Sequence, residues 1–298
     1  MNKRILVIVV AYNGMRWLER CLGSVPTDAD VFVVDNDSTD GSADFVASRF
    51  PKARLVRSAD NLGFSKANNL GFEWALRKGY DYVYLLNQDA WLEEGALDKL
   101  VAAAEAHPDY AVLSPLQYQD GYLQLDKQFE MRYARAKGPR YDKSVIPSEA
   151  RESPVVGVKT IMAAHWLVPV AALQALGTFE EELFPFYGQD DDWCQRARYA
   201  HWRVGIVPEA RAVHDRAARE EPLEKTVFRN YYTGSLVRLA NVNRPLWERF
   251  SFVCLFTLVK AVKYRSWLPF KYFRKICRQL PTVRKHRSAI VARARRAR

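Results

Sequence analysis

The chain of 298 residues is long enough for one large domain with a full core, or for a domain with an appendage. A hydrophobic content of 49% with 27% charged residues is typical of globular proteins and excludes a largely disordered chain. No stretch reaches the ~18–20 apolar residues of a membrane-spanning helix. The four cysteines are too scattered for a zinc site or a disulfide framework, so we expect a protein of the reducing cytoplasm.

Short apolar runs near residues 4–10, 31–34, 53–57 and 82–86 predict buried strands, each ending in a polar turn. We interpret the first run as a strand and not as a signal peptide, because Tyr12-Asn13-Gly14 follows it directly. Helical patterns lie between the runs, including 64–76 and 93–106. This alternation predicts a parallel, doubly wound sheet with ligands at the carboxyl ends of its strands.

The second half of the chain is predicted less regularly. Residues 117–153 are rich in Tyr, Arg, Lys and Pro, which favours an excursion over the site. Order returns at 155–160 and 161–170, the sheet is complete after 203–207, and 224–240 has the pattern of a helix.

Two carboxylates, Asp35 and Asp37, follow the second predicted strand. A carboxylate at a strand end can accept the N3–H of a pyrimidine ring. Turn and helix-cap roles would explain the same residues equally well. A second polar segment, 61–71, combines a glycine turn with a helix start, and such turns can approach a nucleotide closely, although the pattern is weak alone.

Two further acidic segments indicate chemistry. Asp89 follows an apolar strand and could hold a divalent cation against a departing diphosphate, or cap the next helix. Asp190, Asp191 and Asp192 are consecutive and flanked by aromatic residues, which is unusual for a solvated face. Adjacent carboxylates repel, so such a cluster favours a group that binds a cation or a proton, as a general base does.

In this order the segments resemble family 2 glycosyltransferases of the GT-A fold, of the bacterial cell-surface polysaccharide type. The resemblance covers roughly residues 3–240 and is carried by 9–14 (VVAYNG), 33–42 (VVDNDSTDGS), 61–69 (NLGFSKANN), 85–90 (LLNQDA) and 186–196 (FYGQDDDWCQR). It implies an α/β, Rossmann-like domain with a mostly parallel central sheet flanked by helices, followed by a C-terminal helical, basic appendage. We therefore expect a catalytic domain at 1–240 and a tail at 241–298.

The resemblance also implies a binding site for a nucleoside-diphosphate sugar. Asp35 and Asp37 resemble the base- and ribose-binding acids, with Asp37 assigned to the base. The remaining residues expected to line the donor are Tyr12, Asn13, Asn61, Lys66, Asn68 and Gln88.

For catalysis, the resemblance implies that Asp190 is the base and that Asp89, the last acid of the family's DxD, holds Mg²⁺ or Mn²⁺. His214 falls where related enzymes often have a metal-ligating histidine, although a lone histidine is often just partly buried. The residues expected to line the acceptor site or support the base are Gln189, Asp191, Asp192, Arg196, His165 and Trp166. For His165, a structural role beside Trp166 is the favoured interpretation.

The chain departs from the family pattern at two positions. Asn87 replaces the first acid of the DxD, which puts more weight on Asp89 and His214 as metal ligands. Gln189 replaces the Glu of the family's Glu-Asp pair, so Asp191 could take over its role, or the acceptor could differ.

The expected reaction is a single inverting displacement that moves a sugar to a hydroxyl of a glycan or lipid-linked acceptor. The LNQD form looks like rhamnosyltransferases that use dTDP-rhamnose. Two alternatives stay open: a sugar nucleotidyltransferase, which should show a glycine- and basic-rich loop near the first strand, and a non-catalytic module that binds membrane or nucleic acid.

The tail concentrates the positive charge. Residues 241–298 contain 16 Lys and Arg and one acid, Glu248, so their net charge is +15. Because the net charge of the whole chain is +11, residues 1–240 have a net charge of −4. Basic residues interleaved with aromatic ones suit an interfacial helix on an anionic leaflet. Nucleic-acid binding is a less favoured interpretation of this tail. A third interpretation is that the apolar half of the tail packs on the catalytic domain. We expect a cytoplasmic protein held peripherally on the inner face of the cell membrane.

Overall fold

The computed structural model describes residues 3–121, 124–137, 154–215 and 222–296. Within these ranges one sheet of nine strands forms the centre of the protein, in the order β3-β2-β1-β4-β8-β6-β9-β5, with β7 beside β9. The strands are β1 Ile5–Ala11, β2 Asp30–Asn36, β3 Arg54–Ser58, β4 Tyr82–Asn87, β5 Ala90–Leu92, β6 Tyr110–Tyr118, β7 Val156–Gly157, β8 His165–Pro169 and β9 Arg203–His214. β1 to β4, β6 and β9 run parallel, and β5, β7 and β8 are antiparallel to them. The mostly parallel α/β sheet expected from the sequence is confirmed.

Helices cover both faces of this sheet. They are α1 Met15–Gly23, α2 Ser42–Arg49, α3 Gly63–Lys78, α4 Ala96–Ala106, α5 Lys127–Lys137, α6 Val170–Leu176, α7 Gln189–Tyr199, α8 Leu223–Val227, α9 Gly234–Ala240, α10 Leu246–Tyr264, α11 Leu268–Arg278 and α12 Leu280–Arg296. One apolar cluster joins the sheet to α3, α6 and α7, and a second joins it to α1, α2 and α4. Helix α1 buries one face, made of Trp17, Leu18, Cys21 and Leu22.

A third apolar cluster lies under the C-terminal helices and joins Leu183, Phe184 and Tyr231 to Val253 and Ile276. The C-terminal helices expected from the sequence are therefore present. The boundary at residue 240 stays a prediction, because this cluster contains residues from both sides of it. Among the residues described, no helix has the length and apolar character needed to cross a bilayer.

The structure corrects several boundaries. The helix predicted over 93–106 begins at Ala96, and β5 precedes it. β9 continues to His214, well beyond the predicted 203–207, because its second half pairs with β5. The single helix predicted over 224–240 is divided by a π-helical turn, Phe228–Thr233. In the excursion predicted over 117–153, the described part holds the end of β6 and helix α5, and 122–123 and 138–153 lie outside the described residues.

Candidate active site

The polar strand ends meet at one edge of the sheet. β1 lies between β2 and β4, with Ala11 opposite Asp35 and Val10 opposite Asn87. The order changes direction at β1, since β2 and β3 follow on one side and β4 on the other. In α/β sheets, this is the place where a ligand binds. The donor-lining segments predicted after β1, β2 and β4 are thereby brought together.

Gln88 holds the loop that follows β1. Its Oε1 accepts the backbone N–H of Tyr12 at 2.7 Å, and its Nε2 donates to the Tyr12 carbonyl at 3.1 Å. A side chain on Gly14 would collide with the same amide of Gln88. Gln88, expected to line the donor, therefore fixes the Tyr12 backbone, while the Tyr12 side chain is exposed at the site.

Asn13 joins this loop to the loop after β2. Its backbone φ of 48° lies in the left-handed region, which asparagine tolerates better than most residues. Its Oδ1 accepts the backbone N–H of Thr39 at 2.8 Å, and its own N–H donates to Ser38 Oγ at 3.0 Å. The side-chain amide oxygen of Asn13 is thus engaged within the protein.

The two acids after β2 differ in environment. Asp35 is 4% exposed; its Oδ2 accepts the N–H of Ser38 at 3.3 Å, and its buried Oδ1 has no hydrogen-bond partner among the described residues. Asp37 is exposed, and its φ of 70° turns the chain away from the strand. A buried carboxylate oxygen without a donor is costly unless a ligand supplies one.

The start of α3 supports the site from the side. Asn61 Oδ1 accepts from Asn36 Nδ2 and from the Gly63 N–H, both at 3.0 Å. Lys66 is exposed, whereas Asn68 is buried and donates to the Phe64 carbonyl one turn earlier. Of the predicted donor residues in this helix, Lys66 is the one open to solvent.

Residues that the sequence did not single out join α3 to the loop before Asp190. Ser65 donates its N–H to the Pro185 carbonyl at 3.1 Å and its hydroxyl to the Phe184 carbonyl. Gly63 has a φ of 77°, and a Cβ there would lie 2.6 Å from the Pro185 carbonyl oxygen. Only glycine fits such a position without strain.

Asp89 and His214 form the candidate metal pair. Antiparallel pairing of β5 with β9 sets Ala90 opposite His214, and His214 Nε2 lies 3.5 Å from Asp89 Oδ1. No group of three or more His, Cys, Asp and Glu suited to a metal occurs in the described part of the chain. One carboxylate and one imidazole fit Mn²⁺ as a partial ligand set, to be completed by a diphosphate or water.

Asp190 lies in the first turn of α7, after Gly188, whose φ is 92°. Burial, followed by the negative charge of Asp191, raises the pKa of Asp190 to about 6, against the opposing charge of Arg132. A carboxylate with a pKa near neutrality suits a general base.

Asp191 faces the excursion over the site. Its Oδ1 accepts the hydroxyl of Thr160 and lies 3.7 Å from Arg132 Nη2 on α5. The excursion therefore contacts the acidic cluster, and it brings a guanidinium that the sequence analysis did not identify. Neither Thr160 nor Arg132 stands in a recognisable motif.

Asp192 and Arg196 stabilise α7 from within the protein. Asp192 is 1% exposed, and its Oδ2 accepts from Arg196 Nε at 2.9 Å. Arg196 also donates to the carbonyls of Leu176 and Thr178, at 2.7 and 2.9 Å. The supporting role expected of both residues thus consists of fastening α7 to the turn after α6.

His165 and Trp166 are buried core residues. His165 is fully buried between Tyr84 Oη, 2.8 Å from its Nδ1, and the Val213 carbonyl, 2.9 Å from its Nε2. Burial lowers its pKa to about 3, so the ring is neutral. Trp166 packs on Trp193. The acceptor role expected of these two residues is not supported: successive side chains of β8 point to opposite faces of the sheet, and packed elements bury both faces there.

A cavity of about 1370 Å³ is lined by residues of helix α7, of strands β7 and β9, and of the end of β4. His214 and Asn87 contribute to its wall from the strand ends, and Gln189, Asp190 and Asp191 from α7. Gln189 is 6% exposed, and its Oε1 has no hydrogen-bond partner among the described residues. Five basic side chains also line the cavity: Arg132, Lys159, Arg198, Arg203 and Arg229.

Part of the chain is similar to a known family of proteins. Residues 6–153 match the family described as Glycosyl transferase family 2. Over 239 residues the chain is 29% identical to an N-acetylglucosaminyl-diphospho-decaprenol L-rhamnosyltransferase of Mycobacterium tuberculosis, with 73% of this chain and 78% of the relative covered. It is 24% identical over 216 residues to the dTDP-rhamnosyl transferase RfbF of Shigella flexneri, with 72% and 70% covered.

Solved structures agree on the fold. The S. aureus TarS structure of residues 1–349 superposes with a TM-score of 0.56 at 18% identity, covering 83% of this chain and 68% of that one. The mannosyltransferase PcManGT from Pyrobaculum calidifontis, in complex with GDP-Man and Mn²⁺, superposes with a TM-score of 0.52 at 20% identity, covering 100% and 76%. At these identities the likeness establishes the GT-A fold and carries no assignment of substrate.

Proposed function

Because the chain carries a glycosyl transferase family 2 domain on a GT-A fold, we propose that it transfers rhamnose from dTDP-rhamnose to a hydroxyl of a lipid-linked glycan, with inversion at the anomeric carbon. One observation carries the proposal: a single cavity is lined by His214 and Asn87 from the strand ends and by Asp190 from α7. The names of the relatives supply the sugar and the acceptor class.

The donor half of the site is proposed from the strand-end acids. The unpaired Oδ1 of Asp35 can accept the N3–H of a thymine ring, which would satisfy a buried carboxylate oxygen. We therefore assign the base to Asp35 and leave Asp37, which is exposed, for the ribose, in place of the reverse assignment expected from the sequence. Lys66 is exposed at the start of α3 and can approach the nucleotide.

The acceptor half is proposed from the α7 side of the cavity. Gln189 Oε1 lacks a partner in the described residues and can accept a hydrogen bond from a sugar hydroxyl. The cavity wall carries five basic side chains against two carboxylates, Asp190 and Asp191. This excess of positive charge is suited to an acceptor that carries a diphosphate.

The proposed reaction is a direct displacement. Asp190 takes the proton of the acceptor hydroxyl as its oxygen forms a bond to the anomeric carbon, and the bond to the diphosphate breaks with its electron pair leaving on the nucleotide. Asp190 later releases the proton to solvent. Asp89 and His214 would hold a Mn²⁺ or Mg²⁺ ion, which neutralises charge on the leaving diphosphate when bound.

The test is a transfer assay with purified protein, a panel of nucleotide sugars that includes dTDP-rhamnose, UDP-GlcNAc and GDP-mannose, and a synthetic polyprenyl-diphosphate-linked GlcNAc acceptor. We expect a rhamnosylated product from dTDP-rhamnose, with inverted configuration by NMR. Transfer from a different donor alone would refute the sugar assignment, and retention of configuration would refute the displacement.

A further inference from the structure

Helix α10 exposes an apolar stripe. Leu255, Leu258, Val259 and Val262 are spaced i, i+3, i+4 and i+7 and so share one face. They are 62%, 54%, 53% and 78% exposed. The opposite face carries Val253, which belongs to the third apolar cluster, and Thr257, which is buried and hydrogen-bonded to Tyr231 of that cluster. A helix packed on a domain normally shows polar residues to solvent, so this outward stripe calls for a partner.

Aromatic residues extend the stripe at both ends. Trp247, in the first turn of α10, is 73% exposed, and Trp267, just after its end, is 80% exposed. Exposed tryptophans at the ends of an apolar surface are typical of contact with the headgroup region of a bilayer, where an amphipathic ring is favoured.

The charge beside the stripe has one sign. Lys263 and Arg265 at the end of α10, and Arg274 and Lys275 on α11, are exposed. Residues 241–279, which precede α12, hold nine Lys and Arg against Glu248 alone. An apolar stripe next to this charge is complementary to an anionic lipid surface.

Helix α10 also contacts a helix of the cavity wall. Helix α9 lines the cavity with Gly234 and Val237. Its Arg238 lies over the rings of Phe252 and Phe256 on α10, with 5.4 and 4.9 Å to the ring centroids. A single short helix therefore separates α10 from the proposed acceptor site.

We propose that the outward stripe of α10 docks the protein on an anionic bilayer, so that the cavity opens beside the membrane that holds the acceptor. The placement of the cavity beside the acceptor rests on the proposed function, whereas the docking of α10 on a bilayer does not. The strongly basic α12 has a different role, because it packs against α6 and α9 and buries Val283, His286 and Ile290.

Flotation with vesicles tests the proposal without donor or acceptor. We expect the wild type to bind vesicles of phosphatidylcholine with 30% phosphatidylglycerol, as a test composition of about one third anionic lipid, and to bind pure phosphatidylcholine far more weakly. A Leu255→Glu and Val262→Glu double variant should lose at least about tenfold in partitioning. A matched Ala47→Glu and Ala102→Glu variant, at exposed positions of α2 and α4, has the same charge change and should bind as the wild type.

The basic side chains beside the stripe are tested in the same flotation experiment. Replacing Lys263 or Arg274 by Gln should each weaken partitioning about fivefold. Thermal midpoints confirm that every variant is folded, and Asp190→Asn should bind like the wild type, which separates docking from catalysis. Unchanged partitioning of the stripe variant would overturn the proposal. The proposal would also be overturned if the wild type were a dimer and the stripe substitutions dissociated it without reducing vesicle binding. The stripe would then be an interface between copies of the chain.

Discussion

His286, in the last helix, lies between two carboxylates, with its Nε2 2.9 Å from Asp192 Oδ1 and its Nδ1 3.1 Å from Glu180 Oε2. Asp192 stands two residues after Asp190, and Arg196 holds its other oxygen. Both ring nitrogens face acceptors, so the imidazole is a cation that donates to each. The C-terminal helix is thereby bonded to the helix that carries the candidate base.

Stability should fall with rising pH because of His286. Burial alone would lower its pKa, but the hydrogen bonds and charges of Asp192 and Glu180 raise it from 6.5 to about 9. The folded state therefore holds this proton more tightly, and the stabilisation is present below pH ~6.5 and is lost as the pH rises through about 9. The contribution is on the order of 3 kcal/mol, measurable by urea unfolding at several pH values.

The control for this effect is a His286→Gln variant, which cannot carry the proton. We expect its free energy of unfolding to be lower than that of the wild type at pH 6.5 and to change little between pH 6.5 and 9. A His107→Gln variant, at a histidine of the α4–β6 connection, should keep the pH dependence of the wild type. If His286→Gln retained that dependence, the cationic bridge would be refuted.

Metal dependence should be carried by Asp89 and His214. Chelation with EDTA is expected to abolish transfer, and Mn²⁺ to restore it. A His214→Ala variant should need about tenfold or more Mn²⁺ for half-maximal activity, because it loses one of two protein ligands. Titration of Mn²⁺ measures this, with His107→Ala as the control. An unchanged Mn²⁺ requirement would mean that His214 is not a ligand.

Gly14 and Gln88 should be energetically coupled. A methyl group at residue 14 would collide with the Gln88 amide that holds Tyr12, so we expect Gly14→Ala to cost about 1–3 kcal/mol. In a Gln88→Ala background the obstacle is absent, and the same substitution should cost at least about 1 kcal/mol less. Urea unfolding of the four proteins gives the coupling, and equal costs in both backgrounds would contradict it.

The rate of transfer should follow the ionisation of Asp190. A base acts when deprotonated, so its pKa of about 6 predicts that log kcat/KM rises with pH, with unit slope, and levels off above about 6. A profile recorded from pH 4.5 to 8.5 with a soluble acceptor analogue tests this. A plateau that already extends below pH 5 would exclude a base with a raised pKa.

The polar strand ends could be predicted from sequence because each apolar run stops at a turn. Parallel order then brings Tyr12, Asp35 and Gln88 to one edge of the sheet. Asp190 stood out in the sequence because three adjacent acids among aromatic residues are unusual, and the structure places it on the cavity wall.

Other features depend on contacts that are distant in the chain. Asp192 lies 94 residues from His286, and no local pattern pairs them. The sequence does not indicate whether the Gln88 side chain faces a ligand or the Tyr12 backbone, to which the structure shows it bonded. The periodicity of α10 indicates an apolar face but not whether that face points inward or outward, which only the packing of Val253 and Thr257 decides.

The transfer rate of Asp190→Asn with dTDP-rhamnose and the lipid-linked acceptor tests the role of Asp190 directly. Removing a general base should lower kcat about 10²–10⁴-fold, with donor affinity unchanged, since Asp190 is proposed to act on the acceptor. The control is Glu73→Gln, an exposed change on α3 that removes the same charge and should leave the rate intact. Full transfer activity in Asp190→Asn would show that Asp190 is not the general base.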